Sequence, residues 1–310
     1  MASSRLHHGW LLAGPEGIGK AGFAHWAAEL LLCDAAPERA GQIGSLLAAG
    51  SHPDFRVLRR LSKDDDKDAG EGDTGAANLK RNISVDQIRE LQPMLANRPA
   101  LSDRRVIVID SADDLERSAA NALLKSLEEP PAGTIFLLIS HAPDRLLPTI
   151  RSRCRIVRFE PLSPDQMRQA IIARRPDIEP EELEALVRTG HGSPGAALAF
   201  AGLGIDELDR EMHAIINGGD PDFALRSELA RRLSLKQAQE RYAAFLQRVP
   251  GTIAQLARHR PAAEAGHLVE SWKLAQDIAA RAQILNHDKQ AVVLEMSRLL
   301  ASLYGHKGSA

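Results

Sequence analysis

Short apolar runs alternate with segments of helical spacing through the first half of the chain. The runs that we expect to form strands are residues 10–13, 55–59, 105–110, 134–140 and 155–159. The segments that we expect to form helices are 23–32, 42–49, 84–95 and 115–129, and the third opens with a capping box of Ser84 and Gln87. Apolar strands that alternate with helices are typical of a parallel sheet with helices on both faces. The pattern therefore predicts an α/β domain over residues 1–160.

The strand pattern stops after Pro161. Residues 163–201 favour short helices, with breaks at 174–176 and 190–195. Residues 205–304 are helix-compatible almost throughout, with breaks at 218–221 and 249–251. We therefore predict a small helical domain over 161–204 and an all-helical domain over 205–310. The amphipathic stretches of the last domain are expected to pack among themselves.

A low-complexity segment rich in Asp, Lys and Gly occupies residues 62–78. Dense charge and glycine bury too little apolar surface to order a chain. We expect a disordered acidic surface loop here, the alternative being an acidic site for a cation or a partner.

Composition excludes several classes of protein. Of 310 residues, 44% are hydrophobic and 26% charged, as in an ordinary globular protein. The net charge of -2 argues against a stand-alone nucleic-acid coat. No apolar run reaches membrane-spanning length and no signal-peptide core is present, so we expect a cytoplasmic protein without a membrane partner. Two cysteines, Cys33 and Cys154, exclude a disulfide framework and a four-cysteine zinc site.

Residues 14–21 match the phosphate-binding loop G-x-x-x-x-G-K-[ST] at every position but the last. The loop lies where its chemistry requires, between a predicted strand and a predicted helix, so that backbone N–H groups meet a phosphate at the helix start. The candidate nucleotide-binding residues are Gly14, Gly17, Gly19, Lys20 and Asp110. Ala21 lacks the hydroxyl that normally holds Mg²⁺, and the site is therefore expected to be degenerate.

Asp110 follows an apolar strand, which is the position of the acid that reaches Mg²⁺ in phosphate-loop ATPases. A helix cap at the strand end is an equally good interpretation of this residue. Ser111 stands where hydrolysing relatives carry a glutamate, and Asp113 and Asp114 are expected to face elsewhere if a helix starts there. Because ligands bind at the carboxyl ends of parallel strands, the loop, Asp110 and Ser140 are expected to share one site.

The most specific motif is Ala119–Pro131, which reads Ala-Ala-Asn-Ala-Leu-Leu-Lys-Ser-Leu-Glu-Glu-Pro-Pro. Together with Ser152-Arg153-Cys154 it resembles bacterial clamp-loader subunits of the AAA+ superfamily, over about residues 6–200. Hydrolysing members carry a loop hydroxyl, an acid-glutamate pair and a sensor arginine; here Ala21, Ser111 and Gly195 replace them. His52-Pro53-Asp54 and Gly192–Leu198 are instead similar to the non-hydrolysing member of the family.

The resemblance implies a stator at one end of a five-subunit arc, with three ATPase subunits and a delta subunit as partners. Such a complex loads the sliding clamp on primed DNA, and the subunit is an accessory to a DNA-directed DNA polymerase rather than an enzyme itself. Arg153 is implied to act in trans as an arginine finger, with Arg151 and then Arg155 as rivals. These arginines alone would favour surface ion pairs. The alternative function is an ATP-hydrolysing subunit that uses Lys20 and Asp110.

The resemblance also sets expectations for cofactors. Relatives often carry a four-cysteine zinc module, but only Cys33 stands in that stretch, so we expect no zinc or other metal. Cys33 and Trp26 are expected to be buried in the core. Relatives have a segment before the first strand that covers the adenine; its lack here implies a truncated start or an open pocket. No cofactor is required, and binding of ATP, ADP or phosphate is expected to be weak.

Overall fold

The predicted strands form a five-stranded sheet in the computed structural model, which describes residues 6–62, 80, 82–258, 260–261, 265–284 and 288–304. The strands are Gly9–Ala13 (β1), Phe55–Leu58 (β2), Arg105–Ile109 (β3), Thr134–Ser140 (β4) and Arg155–Arg158 (β5). Their order is β2-β3-β4-β1-β5, and every pair is parallel. The prediction of a parallel α/β sheet is confirmed.

Alternate residues of the central strands face two separate hydrophobic cores. Leu11, Ile107 and Phe136 pack on one face with the helices after β2 and β3, whereas Leu12, Val106 and Leu137 pack on the other with the first two helices. All residues of β3 and β4 are buried, and between the strand ends the side chains on both faces are apolar, at residues 106–109 and 135–139. Helices cover both faces, as predicted.

The unit that contains the sheet comprises Met1–Ala170 and Gly190–Ala196, and seven helices lie wholly or largely in its described residues. They are Lys20–Ala35 (α1), Ala40–Ala48 (α2), Val85–Arg89 (α3), Gln92–Ala96 (α4), Arg117–Glu128 (α5), Pro148–Arg151 (α6) and Pro164–Ile172 (α7). The capping box of Ser84 and Gln87 is confirmed. The prediction of one helix over 84–95 is wrong: Pro93 has no N–H to continue a helix and starts a new one near its N-terminus.

A second unit comprises Ile171–Thr189 and Ala197–Ala310. Its described part is helical: Pro180–Thr189 (α8), Pro194–Leu198 (α9, which begins in the first unit), Ile205–Gly218 (α10), Ala224–Leu233 (α11), Gln239–Arg258 (α12), Gly266–Ile284 (α13) and Lys289–Ser302 (α14). The break predicted at 218–221 is confirmed. The break predicted at 249–251 is wrong, because α12 continues through Pro250, and burial of Phe245, Val249 and Ile253 on either side compensates for the missing hydrogen bond. The division into domains 1–160, 161–204 and 205–310 stays a prediction.

Two residues expected in the core are more exposed than predicted. Helix α1 buries every fourth residue, namely Ala24, Ala28 and Leu32. Trp26 lies on another side of the helix and is 57% exposed. Cys33 is half-buried, with its Sγ 3.9 Å from the Ala40 carbonyl. Residues 63–78 of the predicted acidic loop lie outside the described residues.

Candidate functional site

The phosphate-binding loop connects the end of β1 to the start of α1, as the sequence predicts. Gly19 precedes the first helical residue, Lys20, and has a left-handed φ of 110°. Gly17 is also left-handed, with φ of 73°. Gly14, at the carboxyl end of β1, donates its N–H to the Ser140 carbonyl at 3.2 Å. The structure therefore brings the loop to the carboxyl edge of the sheet, next to the end of β4.

Lys20 is turned into its own loop. Its Nζ donates to the carbonyl oxygens of Gly14 and Pro15, each at 2.6 Å, and only 3% of the residue is exposed. Burial lowers the pKa of Lys20, although Glu16, Asp113 and Asp110 act in the opposite direction. The cation that reaches the outer phosphates in working loops is thus engaged by backbone carbonyls.

Residues 190–196 close the loop from outside. The Gly195 N–H donates to the Gly17 carbonyl at 2.8 Å, and the Ser193 hydroxyl donates to the Glu16 carbonyl. A Cβ on Gly195 would lie 2.6 Å from that Gly17 oxygen, and a Cβ on Gly17 would lie 2.5 Å from the Ala196 nitrogen. Both glycines are therefore required by close approach, and no side chain fits where relatives are expected to carry the sensor arginine.

Asp113 organises the edge between β3 and β4. It accepts hydrogen bonds from the hydroxyls of Ser140 (2.8 Å) and Ser111 (2.9 Å) and from the His141 N–H (2.6 Å). Burial raises the pKa of Asp113, but these hydrogen bonds outweigh burial and leave it below its usual value. The expectation that Asp113 faces elsewhere is wrong, because residues 112–114 form a 3₁₀ turn that aims it at β4.

Asp110 does not cap this turn. The cap is Ser111, whose hydroxyl accepts the Asp113 N–H at 3.2 Å, whereas Asp110 donates its own N–H to the Leu58 carbonyl. Asp110 nevertheless lies near enough to act on the pKa of Lys20. The structure thus brings together the loop, Asp110 and Ser140, as the sequence predicts.

These contacts fit Mg²⁺-ATP poorly. The loop lysine and the Ser140 hydroxyl each already have a partner inside the protein. Ala21 supplies no ligand to Mg²⁺. Among the described residues, no group of three His, Cys, Asp or Glu side chains is arranged to hold a metal ion.

Arg153 lies at the opposite edge of the sheet from the phosphate loop. Strand β5 runs parallel to β1 with Trp10 beside Arg155. Arg153 comes two residues earlier, and a Cβ on Gly9, the first residue of β1, would lie 3.1 Å from its carbonyl oxygen. At ~3.3 Å per residue, the four steps from Gly9 to Ala13 separate Arg153 from the loop by about 13 Å. Arg153 and its own phosphate loop therefore do not form one site.

The three candidate arginines have different surroundings. Arg153 pairs with Glu128 at 2.5 Å and donates to the Thr149 carbonyl at 2.8 Å, with 32% of its side chain exposed. Arg151 pairs with Asp144 at 3.3 Å. Arg155 is exposed, with its guanidinium 6.0 Å from the centre of the Trp10 ring. Burial raises the pKa of the adjacent Cys154 thiol to about 11, so this cysteine stays neutral.

The His52-Pro53-Asp54 motif forms a buried cluster before β2. Asp54 accepts the N–H groups of Ala100 and Leu101 at 2.8 Å and pairs with Arg105 at 3.6 Å. The Asp54 N–H donates to His52 Nδ1 at 3.0 Å. His52, Asp54 and Arg105 are each at least 97% buried. The cluster joins the start of β2 to the start of β3 and holds the loop between them.

We expect His52 to make stability depend on pH. Burial lowers its pKa below the ordinary value of 6.5, despite the opposing charge of Asp54. The unfolded chain therefore takes up a proton at higher pH than the folded chain, so stability is full above pH 6.5 and is lost as pH falls below it. Urea unfolding at several pH values gives the free energy of unfolding as a function of pH. Below pH 6.5 this free energy should fall less steeply with falling pH in His52→Asn than in the parent chain, by at most about 1.4 kcal/mol per pH unit. The same slope in the variant and in the parent chain would contradict this assignment.

Within the part of the chain that the structure describes, no helix combines the length and the apolar character needed to cross a bilayer.

Comparison with known proteins assigns the sheet-containing half of the chain. A family model described as "DNA polymerase III, delta subunit" matches residues 1–163. The delta' subunit of DNA polymerase III from Pseudomonas aeruginosa is 42% identical over 207 residues, which are 64% of this chain and 57% of that protein. The delta' subunit from Escherichia coli is 35% identical over 203 residues, 64% of this chain and 55% of that protein.

A more distant relative is the gamma/tau subunit from Mycobacterium bovis, 30% identical over 204 residues, which are 64% of this chain and 32% of that protein. The chain thus spans about half the length of the delta' subunits that it matches. The family model, however, covers more than half of this chain, and its matched region contains both the phosphate loop and Arg153. The chain therefore belongs to the DNA polymerase III delta-subunit family, and the resemblance to clamp-loader subunits of the delta-prime kind is confirmed.

Proposed function

We propose that this protein is the delta-prime subunit of a DNA polymerase III clamp loader and that it hydrolyses no ATP itself. It supplies Arg153 to the ATP of a neighbouring subunit. The observation that carries this proposal is the place of Arg153, beside the first residue of β1 and about one strand length, ~13 Å, from its own loop. An arginine so placed cannot serve the nucleotide site of its own chain, but it can serve a site presented by another.

The chemistry of such an arginine is electrostatic. Negative charge spreads over the transferring phosphoryl oxygens in the transition state, and a guanidinium stabilises it through charge-assisted N–H donors. An arginine finger acting in trans contributes on the order of 10³–10⁵ in rate. Arg153 suits this role because it follows the short helix α6, is backed by Gly9 of the sheet, and keeps 32% of its side chain exposed.

The partners follow from the same proposal. They are the ATPase subunits and the delta subunit of the complex and, through the assembled complex, the sliding clamp and primed DNA. The protein is then an accessory of a DNA-directed DNA polymerase, works in the cytoplasm, and needs no zinc or nucleotide of its own.

The alternative is an ATP-hydrolysing subunit of the same family. Lys20 and Asp110 favour it, since both residues of a phosphate-loop ATPase are present and near each other. The inward hydrogen bonds of Lys20, the lack of a hydroxyl at Ala21 and the contact between Gly17 and Gly195 oppose it.

The two functions differ in what the isolated chain binds. We expect calorimetric titration of the purified chain with Mg²⁺-ATP to show no binding, with Kd above about 1 mM, because Lys20 and the loop are already engaged. Lys20→Ala should leave the ATPase rate of the reconstituted complex within about twofold of normal, since a loop that holds no phosphate loses nothing with its lysine.

Ala21→Thr is the matched control, because it restores the missing hydroxyl without touching Lys20. We expect no ATP binding by this variant either, because residues 190–196 still close the loop. Turnover of ATP by the isolated chain that Lys20→Ala abolishes would establish the alternative function.

A further inference from the structure

Glu128 is the partner that holds Arg153 in the free subunit. It is the last residue of α5 and comes from the Leu-Glu-Glu-Pro-Pro part of the motif, whereas Arg153 follows α6. Its Oε1 lies 2.5 Å from one terminal nitrogen of the guanidinium. The other terminal nitrogen donates to the Thr149 carbonyl at 2.8 Å and lies 3.4 Å from the Ser152 hydroxyl.

These contacts engage three of the five N–H groups of the guanidinium. Each terminal nitrogen carries two N–H groups, so Thr149 and Ser152 use both groups of one nitrogen. A two-pronged contact with phosphate then requires the other terminal nitrogen, which Glu128 holds. Phosphate oxygens and the Glu128 carboxylate therefore compete for the same terminal nitrogen and for the same positive charge.

Helix stability does not explain a glutamate at this position. The C-terminal end of a helix is its negative end, where a carboxylate is unfavourable. Glu128 and Glu129 both stand there, directly before Pro130. The interaction with Arg153 instead compensates the charge of Glu128 at this helix end.

We propose that Glu128 is a positioning residue that keeps Arg153 inactive until a neighbour's ATP displaces it. This inference rests on the proposed function of Arg153. The exchange is easy, because the pair is exposed, by 32% for Arg153 and 49% for Glu128, and such pairs are weak. A triphosphate carries more negative charge than a carboxylate and wins the guanidinium once the subunits meet in the right geometry.

The test is the ATPase rate of the reconstituted complex without clamp or DNA. Glu128→Gln removes the competing charge and keeps the size of the side chain. We expect hydrolysis at the neighbouring site to rise about fivefold, the upper range for an exposed ion pair. If one of three sites responds, the total basal rate rises about twofold, and the stimulation by clamp and DNA falls accordingly. The melting temperature of the variant should equal that of the parent chain.

Glu129→Gln is the matched control, since it changes the exposed neighbouring glutamate at the same helix end and should leave the basal rate unchanged. The double variant Glu128→Gln with Arg153→Ala should behave as Arg153→Ala alone. A basal rate that is unchanged or lower in Glu128→Gln overturns the inference. If Arg153→Ala itself leaves stimulated hydrolysis intact, the proposed function fails; if only Glu128→Gln is silent, the inference about Glu128 fails alone.

Discussion

Arg153→Ala is expected to slow hydrolysis at one neighbouring ATP site by on the order of 10³ or more, because the transition-state charge there loses its guanidinium. A complex with three ATPase subunits has two further sites, so the total rate should fall by about one third if the sites act independently. Single-turnover hydrolysis, stimulated by clamp and primed DNA, resolves the difference: about one third of the bound ATP should leave the fast phase.

Assembly should be unaffected, since the polar contacts of the Arg153 side chain in the described structure are local, with Glu128, Thr149 and Ser152. Arg151→Ala and Arg155→Ala are matched controls, because Arg151 ends α6 and Arg155 begins β5 on either side of Arg153. Both variants should retain the full fast phase. A full fast phase in Arg153→Ala would exclude the finger, and its loss in Arg151→Ala would transfer the role to that residue.

Asp54→Ala is expected to cost about 3–5 kcal/mol in the free energy of unfolding, the largest effect on stability that we predict. The substitution leaves Arg105 as a buried charge without its acid and removes the acceptor of the Ala100 and Leu101 N–H groups. Urea unfolding of the purified chain measures this cost directly.

Asp86→Ala provides the control, because its pair with Arg89 is exposed and should contribute less than about 0.5 kcal/mol. Adding Arg105→Met to Asp54→Ala should recover part of the loss, since the double variant leaves no unpaired buried charge. A cost below about 1 kcal/mol for Asp54→Ala would show that the cluster does not hold the starts of β2 and β3 together.

The sheet could be predicted because its physics is local. Strands buried on both faces need apolar residues in consecutive positions, and β3 and β4 have such runs at residues 106–109 and 135–139. The capping box could also be predicted, because it consists of hydrogen bonds between Ser84 and Gln87, which are three residues apart in the sequence. The continuation of α12 through Pro250 could not be predicted, because proline has a low helix propensity and the local sequence favours a break. Burial of the neighbouring residues outweighs this propensity, and that packing depends on distant parts of the chain.

The sequence predicted which residues lie at the candidate site, but not which hydrogen bonds their side chains make there. The motif placed Lys20, Asp110 and Ser140 at one edge, and the structure agrees. The sequence could not show that Lys20 turns to the Gly14 and Pro15 carbonyls, nor that residues 190–196, far along the chain, contact the same loop. Asp113 was missed because its direction depends on a single 3₁₀ turn, and Glu128 because only the fold brings the end of α5 to the end of α6.

The two ends of β1 give the chain a polarity. Under the proposed function, Arg153 at one end acts on the nucleotide of another molecule, whereas the loop at the other end holds no nucleotide for another arginine to act on. In a row of subunits where each arginine meets the next nucleotide, the order cannot be reversed. A member that gives an arginine but accepts none has a single permitted place in that row, the terminal one, so the proposed function assigns this chain to the end of the row.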